Sequence, residues 1–198
     1  MPKTVQFLFD FGSPASYLAY KRLPQLAART GARIDYSPIS LGAVFKATGN
    51  ASPATIPAKG RYTGVDFRRW AARYGTEFNF NPYFPINTLN LMRGAIGLIE
   101  DTRFMAYCDQ VFDAMWKARK NLGDPAELAP VLLRAGVEAH EFQAITGDEA
   151  IKARLKAATD DAVARGVFGA PTFFVGDEMF FGQDRMDFVE EALNLQPA

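Results

Sequence analysis

The sequence predicts an α/β fold in which a βαβ–ββα core is interrupted by a large all-helical insertion. Three observations predict it. Strand-like apolar runs lie near both ends of the 198-residue chain, and amphipathic helical patterns fill the middle. No apolar run approaches the roughly 20 residues that span a bilayer. We therefore expect one discontinuous domain of residues 1–44 and 166–198, with residues 45–165 forming the helical insertion.

The first elements form a β-α-β unit. Residues 4–10, TVQFLFD, are rich in β-branched and aromatic types, which predicts a buried strand. Ser13 and Pro14 follow as a preferred N-cap and first helical residue, and Gly31 is expected to end the helix. Residues 32–37 alternate apolar and polar side chains and predict a second strand.

The middle of the chain is predicted to be mostly helical. Residues 46–64 contain many turn formers and predict a loop, and a helix follows at 65–75. Capped amphipathic patterns then predict helices over about 88–101, 103–119, 126–135, 139–145 and 148–165. We expect the apolar side of this insertion to face Ser13 and to enclose a pocket closed to bulk water.

The end of the chain returns to β structure. Residues 172–175 and 178–181 predict a hairpin around Gly176-Asp177, and a last helix follows with Asp184 as its expected N-cap. When the helical segment is set aside, the order of elements is that of a thioredoxin fold.

Composition excludes several classes of site. Lys and Arg, 22 in all, balance 22 Asp and Glu, which argues against nucleic acid as the main partner. Cys108 is the single cysteine, which excludes an intramolecular disulfide and CxxC chemistry. His140 is the single histidine, which excludes metal sites with several histidine ligands, and we expect no bound metal. We expect His140 at the surface. The sequence shows no targeting or membrane segment, and we expect a cytoplasmic protein.

The first joint between strand and helix carries the residues Ser13-Pro14-Ala15-Ser16. A helix N-terminus stabilises an anion because its N–H groups are unpaired and its dipole is positive there. With serines at this joint, the protein supplies a hydroxyl donor but no sulfur, so the logical complement is an anionic sulfur brought by a ligand. The alternative is that Ser13 is only a helix cap.

The second joint lies directly before the third core strand. Residues 167–172, VFGAPT, place a small residue and Pro171 there, which is typical of the cis-Pro loop of this fold. A cis bond would expose the backbone of Ala170 for pairing with an extended, peptide-like ligand. The alternative is an ordinary trans Pro at a strand start. We predict that Ala170–Pro171 is cis and that Pro171 lies close to Ser13.

Five stretches taken in order resemble one family: FDFGSPASYLA (9–19), LGAVFKATGN (41–50), VDFRRWAARYG (65–75), FPINTLNLMRG (84–94) and VFGAPTFFVGDEMFFGQDR (167–185). The sequence resembles the 2-hydroxychromene-2-carboxylate isomerases, relatives of the kappa-class glutathione transferases and of periplasmic disulfide oxidoreductases. The resemblance implies a thioredoxin fold, glutathione as cofactor, a homodimer and a role in aromatic hydrocarbon catabolism. It implies interconversion of 2-hydroxychromene-2-carboxylate and trans-o-hydroxybenzylidenepyruvate, or a related aromatic 2-oxo acid, by reversible addition of a thiolate.

The resemblance also assigns roles to residues. Ser13 matches the serine whose hydroxyl holds the glutathione sulfur, and is the expected catalytic residue. The positions that match glutathione-binding residues are Ser13, Asn50, Ala170, Pro171, Phe181, Gly182, Gln183 and Asp184. The expected substrate contacts are Phe45, Lys46, Phe84 and Asn87.

Further candidates for the cavity wall are Trp70, Tyr83 and Leu91, and Arg93 is an alternative partner for a carboxylate. Some family members carry Lys where this chain has Phe45, so the identity of the acid stays open.

Two other functions remain open at this stage. A kappa-type transferase would use the same glutathione site but would consume the thiol. A catalytically silent thioredoxin-like module would bind peptides at the cis-Pro surface and would show no affinity for glutathione.

Overall fold

Four strands form one mixed sheet in the computed structural model, which describes residues 3–195. The strands are β1 (Thr4–Phe9), β2 (Arg33–Pro38), β3 (Thr172–Val175) and β4 (Glu178–Phe181). Their order across the sheet is β2-β1-β3-β4, with β1 parallel to β2 and antiparallel to β3, and β3 antiparallel to β4. This is the predicted βαβ–ββα core.

Nine α-helices complete the described part of the chain: α1 (Pro14–Thr30), α2 (Leu41–Thr48), α3 (Pro57–Tyr74), α4 (Leu89–Leu98), α5 (Phe104–Trp116), α6 (Pro125–Arg134), α7 (Ala139–Gly147), α8 (Glu149–Ala164) and α9 (Met186–Leu195). Helix α1 connects β1 to β2, and α2 to α8 form the predicted insertion between β2 and β3. Within residues 3–195, no helix is both long and apolar enough to cross a bilayer.

The prediction of a loop over residues 46–64 is wrong at its start, because α2 extends through Thr48. The Ser40 side chain caps α2 by accepting from Ala43 N, and Gly49 ends the helix with φ 71. The boundary drawn between residues 44 and 45 therefore lies within a helix. The division into two domains stays a prediction.

The same loop prediction is wrong at its end, because α3 begins at Pro57 rather than at residue 65. Pro57 occupies the first turn, where its missing N–H is not needed. Gly60 lies within this helix, and the 3₁₀ turn Pro53–Thr55 packs closely against it. A Cβ at this position would lie 3.3 Å from Ala54 Cα. The glycine at position 60 thus serves close packing.

The sheet and the helical segment share one hydrophobic core. Phe9 of β1 and Phe11 contact Phe112 of α5, with ring centroids 5.8 and 4.7 Å apart. The indole N–H of Trp116 donates to the carbonyl of Phe11, 2.7 Å away. Helix α5 is therefore fixed against the loop that joins β1 to α1, where the first serine of the SxxS joint lies.

Candidate functional site

Ser13 and the cis-Pro turn meet at the start of α1. The hydroxyl of Ser13 donates to the Ala170 carbonyl, 2.8 Å away, and accepts from Ser16 N at 3.1 Å. The Ala170–Pro171 bond is cis, as the sequence predicts. Ser13 is only 5% exposed. The two joints, far apart in the sequence, thus form one structural unit.

A cavity of about 1030 Å³ extends from this unit. All the residues to which the resemblance assigns a catalytic, glutathione-binding or substrate-binding role line it: Ser13, Phe45, Lys46, Asn50, Phe84, Asn87, Ala170, Pro171, Phe181, Gly182, Gln183 and Asp184. The walls come from the cis-Pro turn, α2, α3 and the segment that leads into α4. The fold therefore brings the predicted residues together, while the ligand that each one binds stays a prediction.

Four further candidates do not line this cavity. Trp70 packs against the hydrophobic core, and Leu91 is buried in that core. Tyr83 is 53% exposed outside the cavity, and the Arg93 guanidinium donates to the Asn90 side chain, 3.0 Å away. These four residues are therefore not wall or carboxylate contacts of this cavity, and Trp70 and Leu91 instead follow the tendency of aromatic and apolar side chains at helical spacing to pack in the core.

The expectation that the pocket is closed to bulk water is also wrong. The rings of Phe168 and Phe181 form one edge of the cavity, with centroids 4.6 Å apart, and are 38% and 41% exposed. Lys46 and Asn50, also on the cavity lining, are exposed. The cavity thus has a buried end at Ser13 and a rim that is open to solvent.

Asn50 links two segments of the cavity rim by hydrogen bonds. Its side-chain amide donates to the carbonyl of Phe168, 2.8 Å away, and its side-chain oxygen accepts from Ala51 N at 2.8 Å. The segment after α2 is thereby linked to the segment that leads into the cis-Pro turn.

Asp184 lies at the cavity but does not cap α9. A 3₁₀ turn, Gln183–Arg185, precedes that helix, and Gly182 takes the capping position with φ 99. Only glycine fits there easily, because a Cβ would also come within 2.5 Å of Asp184 Oδ1. The Asp184 carboxylate forms an ion pair with Arg185. The N-cap prediction is therefore wrong.

Few charged groups line the cavity. Lys46 is the one cation among its lining residues in the described chain, and it forms no ion pair with any residue from 3 to 195. The lining carboxyl groups are those of Asp10 and Asp184. Most of the remaining lining is apolar. Among the lining residues of the described chain, Lys46 is therefore the cationic side chain available to an anionic group of a ligand.

Sequence reasoning missed Asp10, a carboxyl group that is 3% exposed and lines the cavity. It accepts hydrogen bonds from Gly12 N at 2.8 Å, Thr88 Oγ1 at 2.6 Å and Leu41 N at 2.9 Å. Burial raises its pKa above the ordinary value, while the three hydrogen bonds oppose that shift. The one signal for it is an acidic residue directly after a buried strand.

The two residues that composition singled out lie elsewhere. Cys108 is fully buried, and burial raises the pKa of its thiol well above the ordinary value. His140 is exposed at the start of α7. Among the described side chains, no group of three His, Cys, Asp or Glu is placed to hold a metal ion.

Comparisons with known proteins agree with this geometry. Residues 4–194 match the family model described as a DSBA-like thioredoxin domain. The chain is 37% identical to the 2-hydroxychromene-2-carboxylate isomerase of Pseudomonas putida, over 96% of this chain and 93% of that protein. Glutathione S-transferase kappa 1 of Caenorhabditis elegans is 28% identical over 98% of this chain and 92% of its own length.

The structural comparison points the same way. A solved structure of a 2-hydroxychromene-2-carboxylate isomerase superimposes with a TM-score of 0.84 at 35% identity, covering 96% of this chain and 94% of the other. The chain therefore carries a DSBA-like thioredoxin domain and belongs to the family of the 2-hydroxychromene-2-carboxylate isomerases.

Proposed function

We propose that this protein is a glutathione-dependent isomerase acting on 2-hydroxychromene-2-carboxylate and trans-o-hydroxybenzylidenepyruvate, or on a related aromatic 2-oxo acid. One observation carries the proposal beyond the family relationship. A serine hydroxyl and a helix N-terminus lie together at the buried end of a large, mainly apolar cavity. That arrangement suits an anionic sulfur beside an aromatic substrate, since both the hydroxyl and the dipole favour negative charge.

The cavity suits glutathione at its peptide end as well. Gln183 is only 6% exposed and lines the cavity, yet its side-chain amide makes no hydrogen bond within residues 3–195. The amide atoms are not fully enclosed, so they are available to pair with a polar ligand in the cavity. We assign the γ-glutamyl end to Gly182, Gln183 and Asp184, the cysteinyl unit to the backbone of Ala170, and a further contact to Asn50.

Glutathione, when bound, would supply a thiolate that adds reversibly to a conjugated acid. The protein's own part is to donate a hydrogen bond from Ser13 to the sulfur and to keep the sulfur at the start of α1. Phe45 and Phe84 would pack against the aromatic ring, while Lys46 and Asn87 would bind the polar end of the acid. None of these roles requires the single histidine.

We further propose a cytoplasmic location, where the reducing glutathione pool would keep the thiol available. A homodimer is part of the same proposal, since two-fold dimers are the commonest symmetric assembly.

A kappa-type transferase is the second candidate, and the open rim favours it, because an electrophile of varied shape could reach a bound thiol from solvent. Purified protein should be mixed with the acid at several glutathione concentrations, and product and remaining thiol should be counted together. Many turnovers without loss of thiol would support the isomerase, and thiol loss equal to product would establish the transferase. The absence of both turnover and glutathione binding would overturn both and leave the binding module.

A further inference from the structure

Asp10 connects three segments that border the cavity. Its carboxylate accepts hydrogen bonds from the β1–α1 loop at Gly12, from the first residue of α2 at Leu41 and from Thr88 directly before α4. We propose that Asp10 is a positioning residue that fixes the wall segments carrying the substrate contacts at a set distance from Ser13. This inference rests on the proposed function, because it assigns those contacts to the same site.

Oδ1 of Asp10 joins the β1–α1 loop to the segment directly before α4. Gly12 N and Thr88 Oγ1 both donate to Oδ1. The junction is closely packed, since a Cβ on Gly12 would lie 3.3 Å from both Asp10 Oδ1 and Thr88 Oγ1. Thr88 follows the proposed substrate contact Asn87 directly. The position of Asn87 relative to Ser13 therefore depends on this hydrogen bond.

The Oδ2 side joins the same loop to α2. Leu41 N is one of the N–H groups that a helix leaves unpaired at its start, and a carboxylate is its most favourable acceptor. Phe45 and Lys46 lie about one turn further along α2. This hydrogen bond of 2.9 Å thus links the helix that carries these two proposed contacts to the β1–α1 loop.

Asp10 also shapes the turn that presents the serine. Ser13 N donates to the backbone carbonyl of Asp10 at 3.0 Å, so the same residue holds the walls through its side chain and the serine through its backbone. A buried carboxylate is weak support for stability, because its desolvation offsets much of what its partners contribute. Positioning of the wall segments and of Ser13 therefore explains the buried Asp10 side chain better than a contribution to stability does.

The Asp10→Asn variant distinguishes the hydrogen bonds to Oδ1 from the hydrogen bond to Oδ2. In Asp10→Asn the amide oxygen can still accept from Gly12 and Thr88, but the NH₂ group faces Leu41 N and cannot accept from it. The start of α2 keeps a second anchor, because Ser40 N donates to Thr159 Oγ1 on α8 at 3.0 Å. The variant should therefore fold with α2 displaced.

The experiment compares Asp10→Asn with Thr88→Val, which removes the other hydrogen bond, and with Thr88→Ser, which keeps a hydroxyl. Asp35→Asn on β2, away from the cavity lining, is the matched control. We expect Asp10→Asn and Thr88→Val to raise KM for the acid by between about 10-fold and 100-fold, with a smaller change in kcat. Thr88→Ser should keep most of the wild-type affinity for the acid, and neither Thr88 variant should change the glutathione Kd.

Amide hydrogen exchange on the ligand-free variants supplies a readout that does not need activity. We expect faster exchange across α2 in Asp10→Asn and at the start of α4 in Thr88→Val. A lower melting temperature with unchanged KM, or unchanged exchange in both segments, would overturn the positioning role. If the wild type lacked thiol-dependent turnover, the proposed function would fail, and the exchange pattern would still decide whether Asp10 holds the two segments.

Discussion

Replacing Ser13 with Ala is predicted to raise the pKa of a bound glutathione thiol by about one unit. In the free protein, the single hydroxyl hydrogen of Ser13 is already donated to the Ala170 carbonyl, 2.8 Å away. A bound thiolate must compete for that hydrogen. The gain is therefore the difference between a hydrogen bond to a charged acceptor and one to a neutral acceptor.

The two kinds of hydrogen bond contribute about 1.5–3 and about 0.5–1.5 kcal/mol. Their midpoints differ by about 1.2 kcal/mol, which is close to one pKa unit. The start of α1 adds about 0.3–1 kcal/mol, and that contribution persists in the variant. Below the thiol pKa, one unit means about tenfold less thiolate, so turnover at neutral pH should fall by up to about tenfold.

The assay is the ultraviolet absorbance of the bound thiolate as a function of pH. Ser16→Ala is the matched control, because Ser16 is fully buried in the same turn and its hydroxyl has no hydrogen-bond partner within residues 3–195. The control should titrate like the wild type. Superimposable curves for Ser13→Ala and the wild type would refute the reasoning and leave Ser13 as a helix cap.

Other predictions concern the rim, an ion pair and the cysteine. Lys46→Ala should raise KM for the acid about two- to fivefold, the range of an exposed ion pair, whereas Lys59→Ala on α3 should not; equal effects would contradict a specific contact. Arg103 lowers the pKa of Asp101 to about 2 and also lowers the pKa of Glu141, so its stabilisation is present above pH 4.5 and is lost as pH falls toward 2. The difference in melting temperature between wild type and Arg103→Gln should therefore shrink over that range, and a constant difference would count against the ion pair. A thiol reagent should label Cys108 only after unfolding, and rapid labelling of the native protein would contradict its burial.

The parts of the site that follow from short motifs could be predicted from the sequence. Ser13 lies where a strand passes into a helix, and Pro171 lies directly before a strand, so both can be placed from their neighbours. Their meeting follows from the βαβ–ββα order, which puts both joints at the same end of the sheet. The cis bond at Ala170–Pro171 and the contact with Ser13 confirm that reasoning.

The parts that depend on distant partners could not be predicted. Asp10 bonds to residues 31 and 78 positions away, and no local pattern indicates either contact. Pro57 suggested a loop, whereas it begins α3, and the packing of Gly60 against the 3₁₀ turn depends on tertiary structure. The cis bond at Phe84–Pro85, also on the cavity wall, was not predicted.

The most direct test of the account is a crystal structure of the protein with glutathione. The account predicts that the sulfur lies within hydrogen-bonding distance of the Ser13 hydroxyl, with the cysteinyl backbone paired to Ala170 and the γ-glutamyl end at Gln183 and Asp184. Glutathione bound elsewhere, or bound in the cavity with its sulfur turned away from Ser13, would contradict it.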